Sequence, residues 1–316
     1  MPATQSAIAA PACSTPVRRF QHYDEALEAM ADYQAALCSN ASRRRSNGLS
    51  VTDQDQPEEA FCLFPARPDH APLAIIGGMG PLAGALAFAK ACARFRNSRP
   101  VVLYQACSLP DRSTVILNEA SPVGPLCHEI ALQLADAVRL AADLVPLAGL
   151  PARCIIACNS AHYFWRLILD ELLRRPGSAV RLVSLVETSL EQLRFLSCAR
   201  VLLLTTEDAR AGQVFSAPLR DAGINFEEPP PTLTHLLRSM IFEGMKSLNE
   251  CRALELGNKF FEAIQQTGRD YDCILAGCTE LPVTLDLLRL HGSSTVAAFL
   301  SFPTIVDPLE EALRRV

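Results

Sequence analysis

Two short segments of this chain carry reactive residues in almost the same setting: Cys154-Ile155-Ile156-Ala157-Cys158-Asn159-Ser160-Ala161-His162 and Cys273-Ile274-Leu275-Ala276-Gly277-Cys278-Thr279-Glu280-Leu281. Each reads as a buried strand that ends at a cysteine, passes through small polar residues and enters an apolar stretch able to form a helix. Weaker echoes precede them, Leu73-Ala74-Ile75-Ile76 running into Gly77-Gly78 and Val201-Leu202-Leu203-Leu204 running into Thr205-Thr206. Such a duplication would place two thiols at matching strand ends of two half-molecules that face each other. Facing thiols suit proton transfer on opposite sides of one carbon. The thiolate is the active form and a free cysteine has a pKa near about 8.5, so helix N-termini or hydrogen-bond donors must stabilise it. Turns that open helices supply those donors.

The elements that must position these residues follow from hydrophobic periodicity. Strands are expected over 73–76, 101–105, 154–157, 180–185, 201–204, 273–276 and 295–298. Helices are expected over 81–95, 126–148, 161–174, 188–196, 213–222, 233–245, 249–267, 281–291 and 308–315. Apolar strands alternating with amphipathic helices imply an α/β fold of parallel sheets covered on both faces. Ligands in such folds bind at the carboxyl ends of the strands, where both cysteines fall. The expected domains are 72–187 with 295–316, and 188–294. Residues 1–71 form an N-terminal extension of different composition, rich in Ala, Ser, Pro, Arg and Gln. It reads as partly disordered, with 39–48 an exposed linker and one helix over 23–37 that aligns Leu27, Met30, Tyr33 and Leu37. Targeting, partner docking and a plain tail are its open roles, and composition favours the tail.

Composition sets the broad class. A hydrophobic content of 49% over 316 residues is enough to bury the cores of two domains. The formal charge of −5 argues against a nucleic-acid or anionic-membrane partner. The longest apolar stretch, 130–150, is broken by Asp136, Arg139 and Asp143, so it does not read as a membrane span. Residues 1–15 lack the early positive charge and apolar run of a secretory signal, so the expected location is cytoplasmic. There are 12 cysteines but no CxxC pair and no zinc-type histidine spacing, and no metal is expected. Cys92, Cys107, Cys127 and Cys198 read as reduced core residues.

Further candidates sit at the other turns. The backbone N–H groups of Gly77-Gly78-Met79-Gly80-Pro81 could meet an anion at a helix N-terminus, although glycines there often serve only to turn the chain. Arg112, in Ser108-Leu109-Pro110-Asp111-Arg112, could clamp a carboxylate, although a lone loop arginine is more often a solvated charge.

Together these segments, in the order Ile76-Gly77-Gly78-Met79-Gly80-Pro81-Leu82-Ala83, Ser108-Leu109-Pro110-Asp111-Arg112-Ser113, Ala157-Cys158-Asn159-Ser160-Ala161-His162, Glu243-Gly244-Met245-Lys246, Ala276-Gly277-Cys278-Thr279-Glu280-Leu281 and Val306-Asp307-Pro308, resemble the aspartate/glutamate racemase family, in particular its cofactor-independent aspartate racemase branch. The resemblance spans residues 73–316. It implies two similar α/β domains with the active site in the cleft between them, Cys158 and Cys278 as the catalytic pair, an acidic amino acid as substrate, no pyridoxal phosphate, and a homodimer. Arg112 and Lys246 would then hold the side-chain carboxylate, with Met79, Gly80, Asn159, Ser160, Thr279 and Glu280 lining the rest of the substrate site. Without the resemblance, Lys246 reads as a helix-end surface lysine and Asn159 equally as a helix cap. His162 would tune Cys158 or serve as a satisfied helix residue.

Two positions depart from the family pattern: Gly84 stands where a threonine is usual, and Thr205-Thr206 runs into Glu207-Asp208 rather than a Thr-Thr-Gly-Thr turn. Two carboxylates near a dicarboxylate site are unfavourable unless they point away or pair with a cation such as Arg210. A non-catalytic or substrate-shifted descendant, acting as a binding or regulatory module, is the competing expectation.

Overall fold

A computed structural model of the chain describes residues 15–47, 56, 58–119, 121–145, 150–175 and 179–316. Two sheets organise it. The first has six strands in the order β1 (Val17–Phe20), β2 (Glu59–Leu63), β4 (Val101–Gln105), β3 (Leu73–Gly77), β5 (Ala152–Ile156) and β6 (Val180–Val183). The second has four, in the order β10 (Thr304–Val306), β9 (Cys273–Gly277), β7 (Val201–Thr205) and β8 (Phe226–Glu227), all parallel. In the first sheet β3, β4, β5 and β6 are parallel, while β2 runs antiparallel to β4 and carries β1 with it.

The pleat explains why the central strands are apolar on both faces. Ala74, Ile76, Val102, Tyr104, Cys154 and Ile156 point to one face, against the helix Pro125–Leu144. Leu73, Ile75, Val101, Leu103 and Ile155 point to the other, against the helices Tyr23–Ser46, Pro81–Phe95 and Pro308–Arg315. Side chains alternate across a strand, so a sheet covered on both faces needs apolar residues throughout. The second sheet repeats the plan, with Leu202, Leu204, Ile274 and Ala276 on one face and Val201, Leu203 and Leu275 on the other.

Four sequence expectations are corrected. The run 295–298 is part of a helix, Ser294–Ser301, because Ser293 caps its first turn by accepting from the Val296 N–H and because Val296 and Leu300, one turn apart, are the buried pair. That helix and β10 belong with the second sheet, and only the terminal helix Pro308–Arg315 returns to the first-domain core. Cys198, expected as a reduced core residue, is joined to Cys273 in a disulfide.

The fourth correction concerns the extension. The expected linker is helical as far as Ser46, so one helix runs Tyr23–Ser46, and its Ala26, Met30, Tyr33, Leu37 and Ala41 are buried. Strand β2, with Phe61 and Leu63 fully buried, lies inside the sheet between β1 and β4. The described part of the extension is therefore structural core. The disorder expected for residues 1–14 and 48–55 lies outside the described residues.

Candidate active site

Both cysteines lie where their strands end. Cys158 follows β5 by two residues and leads into the short 3-10 helix Ser160–Phe164, whereas Cys278 directly follows β9 and leads into the helix Leu281–His291. They are 8% and 5% exposed. No helix among the described residues is long and apolar enough to cross a membrane.

Each cysteine turn touches a loop of the other domain. A Cβ placed on Gly80, in the first-domain loop, would stand 2.2 Å from Oε1 of Glu280 in the second domain, and Gly80 has a φ of +153°. That backbone conformation is one that residues with a Cβ rarely adopt, so glycine suits the loop. Ser160 Oγ lies 3.4 Å from Thr206 Oγ1, a second bridge between the halves. Gly84, one of the two departures from the family pattern, has a packing reason here: a Cβ on it would stand 3.0 Å from the Gly77 Cα and 2.6 Å from Gln105 Oε1.

The charges around the two thiols differ in kind. Burial pushes the Cys158 thiol above its ordinary pKa, opposed by Arg112, by Lys246 and by a backbone N–H from Ala161, while Glu280 adds to the upward push. Burial pushes Cys278 up further, and the Glu280 carboxylate reinforces it, against a downward pull from Lys246. Cys278 Sγ donates to Glu280 Oε2 at 3.0 Å, and Thr279 Oγ1 donates to the same oxygen at 3.1 Å. Both sulfurs thus rest as thiols, and Cys278 has a proton acceptor already in contact. The charges of Lys246 and Glu280 are felt at both sulfurs.

The remaining candidates divide between this site and its supports. Arg112 opens the helix Arg112–Asn118, is buried, and donates to the carbonyls of Met79 at 3.3 Å and Pro110 at 3.2 Å. Met79 contributes that carbonyl while its side chain enters the first-domain core. Lys246 follows the π-helical turn Met240–Met245 and places Nζ 4.9 Å from the centroid of the Phe242 ring. Asn159 caps nothing: it is 3% exposed, and neither Oδ1 nor Nδ2 has a hydrogen-bond partner. A buried amide without partners is costly unless a ligand completes it. His162 holds the fold of the Cys158 turn. Its Nδ1–H donates to the Cys158 carbonyl at 3.1 Å, Nε2 accepts from the Leu185 N–H at 3.0 Å, and the ring stacks on Trp165. Burial lowers its pKa to about 4, so it is a neutral tether at ordinary pH.

The sequence groups Glu280 with the substrate ligands, whereas in the structure it accepts from the Cys278 thiol and the Thr279 hydroxyl. Thr206 was missed, although its place at the end of an echoing strand was the signal. Of the two acidic residues that follow, Glu207 is exposed and faces Arg238 at 3.9 Å, and Arg210 pairs with Glu228 at 3.0 Å rather than with either. Asp208 is 2% exposed with one oxygen unpartnered.

An α/β architecture of two mainly parallel sheets with a cysteine at a strand end in each half is a fold that amino-acid racemases share, and the family match assigns the chain to that class. Residues 76–313 match the Asp/Glu/Hydantoin racemase family, and the chain belongs to it. Among solved structures, the aspartate racemase of Picrophilus torridus is similar at 20% identity, with a TM-score of 0.55 over 78% of this chain and 92% of that one. An aspartate racemase homologue from Pyrococcus horikoshii is similar at 18% identity, with a TM-score of 0.52 over 78% of this chain and 97% of that one. A glutamate racemase from Francisella tularensis, solved with D-glutamate, is similar at 14% identity, with a TM-score of 0.51 over 78% of this chain and 79% of that one. These likenesses establish the shared fold.

Proposed function

We propose that this enzyme interconverts the L and D forms of aspartate, or of another acidic amino acid, by a two-base transfer through Cys158 and Cys278 without pyridoxal phosphate. The observation that carries the reading is the approach of the two halves beside the thiols: the carboxylate that accepts from Cys278 also lies against Gly80 of the first domain, and Ser160, two residues after Cys158, faces Thr206 of the second at 3.4 Å. Arg112 and Lys246 supply the positive charge for the substrate's carboxylates, and the unpartnered Asn159 amide supplies a donor and an acceptor. When Glu280 takes the Cys278 proton, the resulting thiolate removes the α-proton from one face. The Cys158 thiol then delivers its own proton to the opposite face, where Arg112, Lys246 and the Ala161 N–H stabilise the thiolate left behind. For the reverse reaction the two sulfurs exchange roles. The reading includes a cytoplasmic homodimer, the dimer being checked by sedimentation.

A second reading, a racemase shifted to a substrate whose far end is uncharged, is favoured by the buried and partly unpartnered Asp208 two residues beyond Thr206. One experiment separates the readings. Protein in heavy water with L-aspartate is expected to place deuterium at Cα and to form D-aspartate, faster than with L-asparagine. Faster exchange with asparagine supports the second reading. Exchange with neither substrate removes the acid-racemase proposal and returns the binding-module expectation.

A further inference from the structure

The segment that carries Lys246 is held from both domains. Immediately after it, Ser247 donates its hydroxyl to the Phe242 carbonyl at 2.6 Å, and the Ser247 carbonyl accepts from Arg45 Nη1. Arg45 lies in the last turn of the extension helix Tyr23–Ser46, which is seated on the first domain through Met30, Tyr33 and Leu37. Leu248 comes next. Its φ of +53° is in the left-handed region that a leucine occupies only where the surroundings impose it. Those surroundings are the first-domain core face, against which its side chain packs although its backbone belongs to the second domain. Asn249 then caps the helix Glu250–Gln265 by accepting from the Arg252 N–H.

Beside this contact the seam is open. A cavity of about 540 Å³ lies between Gln34, Cys38 and Arg45 of the extension helix and Met245, Leu248 and Asn249 of the facing segment. Docking of the helix onto the 246–249 segment therefore falls on Arg45 and Leu248 rather than on a continuous packed face.

We propose that Arg45 is a positioning residue for Lys246: the extension, whose residues precede the family match at 76, fixes a second-domain cation relative to Arg112 and Cys158 of the first. This rests on the reading of Lys246 as a substrate ligand given above. The Arg45 guanidinium holds the Ser247 carbonyl, and Leu248 seats the chain one residue further on. Together they set the direction in which the Lys246 side chain leaves the backbone. Misplacing a binding group by about an ångström is enough to weaken a site by one or two orders of magnitude.

The test uses the full chain with Arg45→Ala, Arg45→Lys, Lys246→Ala and the double variant, read by aspartate kinetics and by amide hydrogen exchange. Arg45→Ala is expected to raise KM about tenfold with kcat within about threefold, and to speed exchange at the amides of 246, 248 and 249 without changing β3. Arg45→Lys should recover part of the KM, and in the Lys246→Ala background the Arg45 change should add less than about twofold. An unchanged KM in Arg45→Ala, with or without faster exchange, overturns the proposal, as does a full additional KM rise in the double variant. If Lys246→Ala itself leaves KM unchanged, the substrate-ligand reading fails and the positioning proposal falls with it, whereas a raised KM in Lys246→Ala beside an unchanged one in Arg45→Ala overturns the positioning proposal alone. Arg45→Met, which keeps the aliphatic stem and loses the donor, carries the same expectations should Arg45→Ala not fold.

Discussion

The two cysteine turns are alike in backbone and unlike in chemistry. On the first-domain side Cys158 has cations within range, a neutral histidine tethering its carbonyl, and an amide beside it that lacks partners. On the second-domain side Cys278 has a carboxylate bonded to its sulfur. The first turn is suited to stabilising a thiolate once formed, and the second to forming one. A duplicated scaffold can thus hold one geometry twice while each half supplies a different part of a proton relay. The halves differ in construction too, since the first sheet takes two of its six strands from the extension and the second sheet takes none.

That difference in construction gives the largest expected effect. Removing residues 1–70 takes away β1, β2 and the long helix, with Met30, Phe61 and Leu63 each wholly buried. At about 1.5–3 kcal/mol for each large apolar side chain, the loss reaches the whole stability of an ordinary domain, about 5–15 kcal/mol. The truncated chain is expected to be insoluble or unfolded by circular dichroism. A folded, active truncation would make the extension a mere tail after all.

Next in size is loss of either sulfur. Cys158→Ala and Cys278→Ala should each lower racemisation by about 10³-fold or more while leaving the unfolding midpoint near that of the parent, and near-parental rates in either would remove the two-thiol mechanism. The chemical asymmetry is sharper in Glu280→Gln, which keeps the shape and removes the proton acceptor of Cys278. A loss of about 10²-fold in kcat/KM is expected. Because the enantiomers are equal in free energy, kcat/KM must fall equally in both directions. The asymmetry should appear instead as unequal primary deuterium effects from the two enantiomers. Equal effects would show that the carboxylate serves both turns alike.

The smallest effect concerns His162. Its folded-state pKa of about 4 lies below the unfolded value near about 6.5, so the unfolded chain binds more protons between those limits. Its contribution is complete above about pH 6.5 and is lost as pH falls towards 4, by up to roughly 3 kcal/mol at about 1.4 kcal/mol per unit. Urea midpoints across that range should fall in the parent and fall less in His162→Asn. An equal fall would assign the acid sensitivity to other groups.

Much of this was legible beforehand, for identifiable reasons. The helices Pro81–Phe95, Leu281–His291 and Pro308–Arg315 begin at or beside a proline and carry long apolar stripes, so their limits are written locally. β1 and β2 were not legible. Arg18 and Arg19 make β1 look like solvated chain, and only pairing with Glu59 at 3.3 Å and stacking on Phe61 satisfy Arg18. The short run at 295 misled because a few apolar residues fit either period until a cap is known.

The alternation of strand and helix, the two cysteine turns and the family are written in the residues alone, because hydrophobic period and turn chemistry act over a few residues. Folding in three dimensions is what bonds Glu280 to a thiol, leaves the Asn159 side chain without a partner, makes His162 a neutral tether and brings the extension to Ser247, next to Lys246. Each depends on groups distant in the chain or on burial, and no local pattern encodes the dielectric or the neighbours that folding supplies.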